Sequence, residues 1–307
     1  MAQAVRYAEY GGPEVLRLEE IDLPEPGPGE VRLAVRAAGM NPVDWKIRRG
    51  LFTPGQELAE PRGTGVEASG VVEAVGPDVD TAAPGDEVFA GVGSGALATH
   101  VIARADSLVH KPDWLSFEEA AALPVASETA ARTLRYLNVQ SGQTLLVHAA
   151  AGAVGLVAGQ LAIARGLTVI GTASEARHEV LRELGVHPVA YGDGWVDRVR
   201  EAAPDGIDVV LDGSGRGVLK ESVALTGDPA KVVTIADGSA ADHGVHFTSG
   251  GNEKVPAAEV FAEVLPLLHA GKLRLPIART FPLAQAADAH RLSEDGHVLG
   301  KIVLEVG

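Results

Sequence analysis

A strand, a turn of small residues and a helix follow one another without interruption between residues 145 and 165, and this junction constrains the fold more than any other stretch. Leu145-Leu146-Val147-His148 is an apolar run, Ala149-Ala150-Ala151-Gly152-Ala153-Val154-Gly155 follows it, and helical periodicity continues to 165. Ala150, Gly152 and Gly155 hold the spaced positions of an A-x-G-x-x-G turn. Small residues there let the backbone approach a pyrophosphate closely, and the helix that opens at the turn aims its N–H groups and positive dipole end at that anion. Such a spacing also serves plain helix packing, so context decides: a strand precedes it, a helix opens on it, and another strand comes next. The junction predicts a dinucleotide site on Ala150, Ala151, Gly152, Ala153, Val154 and Gly155.

The same alternation continues. Apolar strands are expected at 145–148, 168–172, 188–191, 207–211 and 231–235, with helices near 153–165, 175–184, 195–202, 217–225 and 257–270. Continuously apolar strands separated by helices imply a parallel sheet covered on both faces. The first third of the chain differs. Val31-Arg32-Leu33-Ala34-Val35-Arg36 alternates as a half-buried strand does, residues 70–76 and 86–90 add short strands, and Leu23-Pro24-Glu25-Pro26-Gly27-Pro28-Gly29 reads as turns. Short strands punctuated by Gly and Pro suggest a β-barrel-like domain. Ser116 with Glu119 three residues later has the capping-box spacing of a helix start. A β-like segment, Gly300-Lys301-Ile302-Val303-Leu304-Glu305, closes the chain.

Composition narrows the function. A chain of 307 residues, 46% hydrophobic and 22% charged, is ordinary globular material for about two domains. Its net charge of −15 repels phosphate backbones and anionic membranes, so neither nucleic acid nor membrane is an expected partner. With no cysteine there is no disulfide, thiolate metal site or cysteine nucleophile, which agrees with a cytoplasmic location. No signal-peptide h-region is visible near the N-terminus, and the most apolar stretch, 145–164, is interrupted by His148, Gln160 and several glycines.

The end of the second strand selects the dinucleotide. An acidic residue there would hold the ribose 2′-hydroxyl of NAD. Gly171-Thr172-Ala173-Ser174-Glu175-Ala176-Arg177 puts Ala173 in that place, with Thr172 and Ser174 as hydrogen-bond donors and Arg177 as a planar fork for a 2′-phosphate. NADPH is the expected cofactor. Two bland roles compete with this reading: Ser174 as a simple N-cap and Arg177 as a solvated helix residue.

Motifs spread from end to end resemble the medium-chain dehydrogenase/reductases, specifically their zinc-independent quinone oxidoreductase (zeta-crystallin-like) branch. Gly11-Gly12-Pro13-Glu14-Val15-Leu16 is similar to the family's opening turn. Gly39-Met40-Asn41-Pro42-Val43-Asp44, Gly65-Val66-Glu67-Ala68-Ser69-Gly70-Val71-Val72, Pro84-Gly85-Asp86-Glu87-Val88 and Gly300-Lys301-Ile302-Val303-Leu304 are similar to its catalytic-domain motifs. The resemblance implies an α/β fold: a GroES-like β-barrel catalytic domain over 1–120, completed by 266–307, and an inserted Rossmann doubly wound parallel-sheet coenzyme domain over 121–265. It also implies an active site in the cleft and a homodimer formed by edge-to-edge extension of the Rossmann sheets.

Departures from the wider superfamily are informative. Zinc-dependent members have a catalytic Cys where this chain has Asn41 and a His where it has Val66. None of the ten histidines shows the helical H-x-x-x-H spacing that would rebuild a metal site, so no metal is expected. Several quinone reductases carry tyrosines where this chain has Lys46 and Phe52.

Without a metal, the available chemistry is hydride transfer from nicotinamide to an acceptor that is already electrophilic: a quinone, or an alkene conjugated to a carbonyl. Asn41 is the first candidate to donate a hydrogen bond to the acceptor oxygen, against a role as a turn residue before Pro42. Asp44 either orients Asn41 or caps a helix. Lys46 either stabilises a developing oxyanion or is solvated, and Phe52 either walls a substrate pocket or packs in a core. On the cofactor side, Thr129 resembles the family's threonine near the nicotinamide, with a helix-interior threonine as the alternative. Tyr191 resembles its tyrosine beside the adenosine phosphate, with plain sheet packing as the alternative. Lys301 either reaches the cofactor or is solvated. His148 reads as a satisfied core histidine. The leading expectation is an NADPH-dependent quinone or enone reductase; the alternative is an NADPH-binding redox sensor or structural protein with little turnover.

Overall fold

The computed structural model describes residues 1–307, the side chain of Asn252 apart. The chain splits into two compact units, Met1–Val125 with Pro276–Gly307, and Ala126–Leu275. The resemblance places the corresponding boundaries at 120/121 and 265/266, five and ten residues earlier.

In chain order the first unit holds β1 (Ala2–Tyr7), β2 (Arg17–Ile21), β3 (Glu30–Met40), α1 (Pro42–Arg48), β4 (Arg62–Gly63), β5 (Glu67–Val75), β6 (Glu87–Gly91), β7 (His100–Arg104), β8 (Leu108–His110) and α2 (Phe117–Ala121). Helix α3 (Pro124–Tyr136) begins at the boundary. The second unit continues with β9 (Thr144–His148), α4 (Ala153–Ala164), β10 (Thr168–Ala173), α5 (His178–Glu183), β11 (His187–Ala190), α6 (Trp195–Ala202), β12 (Val209–Asp212), α7 (Leu219–Thr226), β13 (Val232–Thr234), β14 (His246–Phe247) and α8 (Ala257–His269). The chain then returns to the first unit with β15 (Ile277–Pro282), α9 (Ala286–Asp295) and β16 (Lys301–Glu305).

The first unit is the β-barrel-like domain. Its main sheet runs β15-β16-β3-β5-β6-β8, with β7 also paired to β3, and a smaller sheet runs β2-β1-β4. Alternation in β3 sends Val31, Leu33 and Val35 into the core and leaves Arg36 exposed. The return strand β16 pairs antiparallel with β3, Ile302 opposite Met40 and Val303 opposite Gly39, and β3 pairs antiparallel with β5, Ala38 opposite Ala68. These registers bring the ends of three neighbouring strands, remote in sequence, to one end of the sheet, where Asn41, Glu67 and Lys301 meet. Ser116 and Glu119 form the expected reciprocal cap at the start of α2: Glu119 N–H donates to Ser116 Oγ (3.1 Å) and Ser116 N–H to Glu119 Oε2 (3.0 Å).

The second unit is a doubly wound sheet. All six strands are parallel, in the order β11-β10-β9-β12-β13-β14. Counted from β9, that is 3-2-1-4-5-6, the Rossmann order, whose ligand crevice lies beyond the carboxyl end of its first strand. Helix α4 is apolar all round, and Gly155 to Ala162 are buried without a break, so it packs into the protein rather than facing water. Gln160, within it, donates to the carbonyls of Leu156 (2.8 Å) and Arg274 (2.9 Å) and accepts from Arg274 N–H (2.7 Å), tying the last turn of this unit to its first helix after the sheet begins.

Candidate active site

In the parallel-sheet unit the glycine turn leaves β9 through Ala149, a non-glycine residue at φ +60°. Ala150 N–H donates to the Thr172 carbonyl (3.0 Å) and Gly152 N–H to the Ala149 carbonyl (3.0 Å), closing the turn against β10. Ala150 and Gly155 are buried, whereas Ala151, Gly152, Ala153 and Val154 are half-buried and form the open face of the turn. A Cβ on Gly155 would lie 2.5 Å from the Ala149 carbonyl oxygen and 2.8 Å from Ala150 Cα, both backbone atoms, so only glycine permits this approach of helix to turn. A Cβ on Gly152 would lie 3.3 Å from the Ala149 carbonyl oxygen, a tight contact with backbone that favours glycine there as well. Helix α4 is 12 residues long and begins at Ala153, and its first N–H groups have no intrahelical acceptor. The turn therefore fits a pyrophosphate.

At the neighbouring strand ends, Ala173 and Ala190 pair across β10 and β11. Ala173 ends β10 with no carboxylate there; Ser174 follows it, and Arg177 closes the short turn Glu175–Arg177, its N–H donating to the Ser174 carbonyl (2.8 Å). Tyr191, 55% exposed, follows β11, and its N–H reaches the Ala173 carbonyl (3.4 Å). Arg198 was not anticipated. Its guanidinium donates to the carbonyls of Ala190 (2.9 and 3.1 Å), Tyr191 (3.3 Å), Gly192 (3.3 Å) and Asp193 (2.9 Å), and so shapes the loop that carries Tyr191.

Thr172 points inward. Its hydroxyl and His148 Nδ1 are 3.1 Å apart, and His148 Nε2 is 3.1 Å from Ser222 Oγ, which itself donates to the Val218 carbonyl (2.8 Å). Because the single Ser222 proton is spent on Val218, the imidazole must carry its proton on Nε2 and accept the Thr172 proton on Nδ1. The Thr172 hydroxyl is thus committed to His148. Burial holds the His148 pKa down at about 4, against the attraction of Asp212. His148 is the satisfied core histidine that the sequence suggests. Asp212, fully buried, accepts from Ser214 N–H (2.8 Å) and Oγ (2.7 Å) and from Thr234 Oγ1 (2.8 Å), and fixes the turn after β12. Thr129, on α3, is buried, with its hydroxyl 3.4 Å from an Arg132 nitrogen.

In the β-barrel unit, Asn41 stands just ahead of α1 as its N-cap residue. Asn41 Nδ2 donates to Glu67 Oε1 (2.7 Å), and Lys301 Nζ donates both to Asn41 Oδ1 (2.8 Å) and to Glu67 Oε1. Glu67 Oε2 accepts from Val125 N–H (2.7 Å). Asn41, Glu67 and Lys301 are all buried. Gly39 makes room for them: a Cβ there would collide with Glu67 Oε1 and lie 2.5 Å from the Ala121 carbonyl oxygen. Asp44 Oδ2 accepts from Asn41 N–H (2.8 Å), while Asp44 Oδ1 is buried without a hydrogen-bond partner among the described residues. Burial pushes the Asp44 carboxyl up to about 7, against the opposing pull of the Asn41 N–H and of Lys301. Lys46 Nζ lies 5.8 Å from the centre of the Trp45 ring, and Phe52 is 58% exposed.

The structure thus brings together Asn41, Asp44 and Lys301 in one unit, and Ala150 to Gly155 with Ser174, Arg177 and Tyr191 at the strand ends of the other. Sequence reasoning missed Glu67 as a site residue, although an acid inside the apolar run Val66 to Val72 signals a buried, paired carboxylate.

The family model for an alcohol dehydrogenase GroES-like domain matches residues 27–113, and that for a zinc-binding dehydrogenase matches residues 184–304. A quinone oxidoreductase of Pseudomonas aeruginosa is 35% identical over 99% of this chain and 99% of its own length. By contrast, the chain spans only 8% of the pikromycin polyketide synthase component PikAII of Streptomyces venezuelae, at 38% identity. Among solved structures, the quinone oxidoreductase of Escherichia coli complexed with NADPH superposes with a TM-score of 0.87 at 27% identity, covering 99% of each chain. The CurK enoyl reductase superposes with a TM-score of 0.87 at 26% identity, covering 100% of this chain and 99% of that one.

The second family description raises the question of zinc, and the donor set does not fit it. Both Glu67 oxygens are already engaged, and the Lys301 ammonium lies against Asn41 Oδ1 and Glu67 Oε1. Among the described residues no group of three or more His, Cys, Asp and Glu could hold a metal ion. With a GroES-like barrel, a Rossmann sheet and a full-length relative at 35% identity, the chain belongs to the medium-chain dehydrogenase/reductase superfamily of oxidoreductases, in its zeta-crystallin-like, quinone oxidoreductase branch.

Proposed function

We propose that this oxidoreductase is a zinc-independent, NADPH-dependent reductase of quinones or of α,β-unsaturated carbonyl compounds. The observation that carries the reading is the pinned amide of Asn41, a buried neutral donor held by a carboxylate and an ammonium where zinc-dependent relatives hold their metal. NADPH, held on Ala151 to Val154 and on Ser174, Arg177 and Tyr191, supplies the hydride. The complex of the Escherichia coli enzyme with NADPH supports the cofactor, and Ala173 at the end of β10 supports NADPH over NADH.

The chain's own residues orient the acceptor and manage charge. Asn41 Nδ2 carries two hydrogens, of which Glu67 takes one, and the second donates to the oxygen of a quinone or enone. A donor aimed at an oxygen that gains negative charge stabilises the transition state more than the ground state. No dedicated acid is needed, because water can protonate the product oxyanion; Asp44, with its pKa near 7, holds a proton on Oδ1 in a large fraction of molecules at neutral pH. The enoyl reductase likeness supports an enone acceptor and the quinone oxidoreductase likeness a quinone.

In the same reading the protein is a cytoplasmic homodimer. Strand β14 ends the parallel sheet with one edge unpaired among the described residues, beside the stacked pair Tyr136 and His246 (4.3 Å between ring centres). No described helix is long and apolar enough to cross a membrane.

The test is NADPH oxidation followed at its nicotinamide absorbance with a panel of quinones and enones, with NADH and a zinc chelator in parallel. Chelator-insensitive turnover that prefers NADPH is expected. Saturable NADPH binding without turnover of any acceptor overturns the reading in favour of a sensor, and loss of turnover in chelator overturns the zinc-independent part.

A further inference from the structure

Three functional groups from remote parts of the sequence close a ring at the ends of three neighbouring central strands of the barrel sheet. Lys301 Nζ bonds Asn41 Oδ1 and Glu67 Oε1, and the same Glu67 oxygen bonds Asn41 Nδ2. An ammonium only donates and a carboxylate only accepts, so the ring admits a single orientation of the Asn41 amide. A flipped amide would set its NH₂ group against the ammonium and its carbonyl oxygen against the carboxylate. We infer that Lys301 and Glu67 are positioning residues, and that the Lys301 ammonium is the site's built-in cation, fixing the Asn41 Nδ2 donor toward the acceptor oxygen. The inference deepens the proposed reductase reading and rests on it.

Burial makes the arrangement consequential. Asn41, Glu67 and Lys301 are all within 5% of full burial, and the second Glu67 oxygen is held by the Val125 N–H, so no water is needed to complete the ring. The return strand β16 carries Lys301, and its register with β3 sets the ammonium one residue beyond the pair Ile302–Met40. The lysine is thereby delivered by the last segment of the chain to a residue 260 positions earlier. Neither charge faces solvent, so each holds the other in place.

The test separates positioning from cofactor binding and from folding. Four variants are compared with the parent: Lys301→Met, the charge-cancelling double variant Lys301→Met/Glu67→Gln, which removes both charges of the ring, Asn41→Ala, and the double variant with Asn41→Ala added. With the best quinone or enone acceptor, kcat is expected to fall about 10- to 100-fold in the double variant, while the Kd for NADPH stays within about twofold of the parent. Adding Asn41→Ala to the double variant should cost almost nothing more, because the pair acts through Asn41.

A second readout does not depend on turnover. The chain has only three asparagines, Asn41, Asn138 and Asn252, so selective ¹⁵N labelling of asparagine side chains resolves Asn41 by comparison with Asn41→Ala. The Nδ2 proton bonded to Glu67, the one on which the test rests, should exchange slowly in the parent and at least about tenfold faster in the double variant. Fast exchange in the parent overturns the inference, whether or not any acceptor is reduced. A double variant with parental kcat, or effects of the double variant and of Asn41→Ala that simply multiply, also overturns it. A rise in the NADPH Kd with kcat unchanged would make Lys301 a cofactor ligand instead. A parent inactive on every acceptor but with slow Asn41 exchange would sink the reductase reading and leave the amide lock standing.

Discussion

Replacing Asp44 by asparagine should stabilise the protein, and more so as the pH rises. Asp44 is buried, one oxygen accepts from the Asn41 N–H at 2.8 Å, and the other oxygen has no hydrogen-bond partner among the described residues. Ionisation therefore puts an incompletely satisfied charge in the interior, and burial lifts the pKa from 3.8 to about 7 even with Lys301 nearby; Glu67 adds to the rise. For an acid whose pKa is raised on folding, the folded state binds its proton more tightly than the unfolded chain does. Its contribution is then fully present below pH 3.8 and is lost as pH rises through about 7. About three pKa units at 1.36 kcal/mol each amount to roughly 4 kcal/mol, of which roughly 2–3 kcal/mol falls between about pH 5 and about pH 8. Asparagine keeps an oxygen for the Asn41 N–H and has no charge to bury. Urea-unfolding midpoints of the parent and Asp44→Asn, measured across that range, should diverge in favour of the variant as pH rises, with the other titrating groups cancelling in the difference. Parallel curves would refute the reasoning.

Four further outcomes follow from the geometry. Gly155→Val should raise the NADPH Kd at least about tenfold and cost about 1–3 kcal/mol in unfolding titrations, since its Cβ would meet backbone at 2.5 and 2.8 Å. Arg177→Ala should raise the NADPH KM about 10- to 100-fold with little effect on NADH, as expected when a charge-assisted bond to a 2′-phosphate is lost. Ser222→Ala should cost about 1–3 kcal/mol in thermal or urea unfolding, because it strands the buried Nε2–H of His148 3.1 Å from its former acceptor. His148, whose pKa is lowered from 6.5 to about 4, contributes stability that is full above pH 6.5 and is lost as pH falls through about 4. His148→Gln should therefore flatten acid unfolding by up to about 3 kcal/mol, read as the change in midpoint between about pH 7 and about pH 4.

The parallel-sheet unit was legible because its signals are local. β9, the turn and α4 occupy consecutive residues, and helix α4 is read at 153–165 and found at Ala153–Ala164. The barrel unit was harder. Strand β2, Arg17–Ile21, is exposed along most of its length and pairs with β1 on one side only, so it lacks the apolar alternation that marks a strand. Strand β14 was missed for a related reason: it is two residues long, too short for any period. At the site, Asn41 and Asp44 stood out because they share one short motif. Their partner Glu67 comes from the start of β5 and Lys301 from β16, and only sheet register brings these together. The inward turn of Thr172 likewise depends on Ser222, which belongs to a helix 50 residues further along the chain (222 − 172). Side-chain commitments made across such distances leave no periodic trace in the sequence.

The account turns on hydride delivery from NADPH to an acceptor carbon or oxygen without a metal. The most direct test uses NADPH deuterated on either face of the nicotinamide C4, in metal-free buffer with chelator, with mass spectrometry of the product. An enone product carrying one deuterium from one face only, or a primary isotope effect on quinone reduction, is the predicted result. Acceptor reduction without deuterium transfer or isotope effect from either face, or turnover that returns only when zinc is restored, would contradict it.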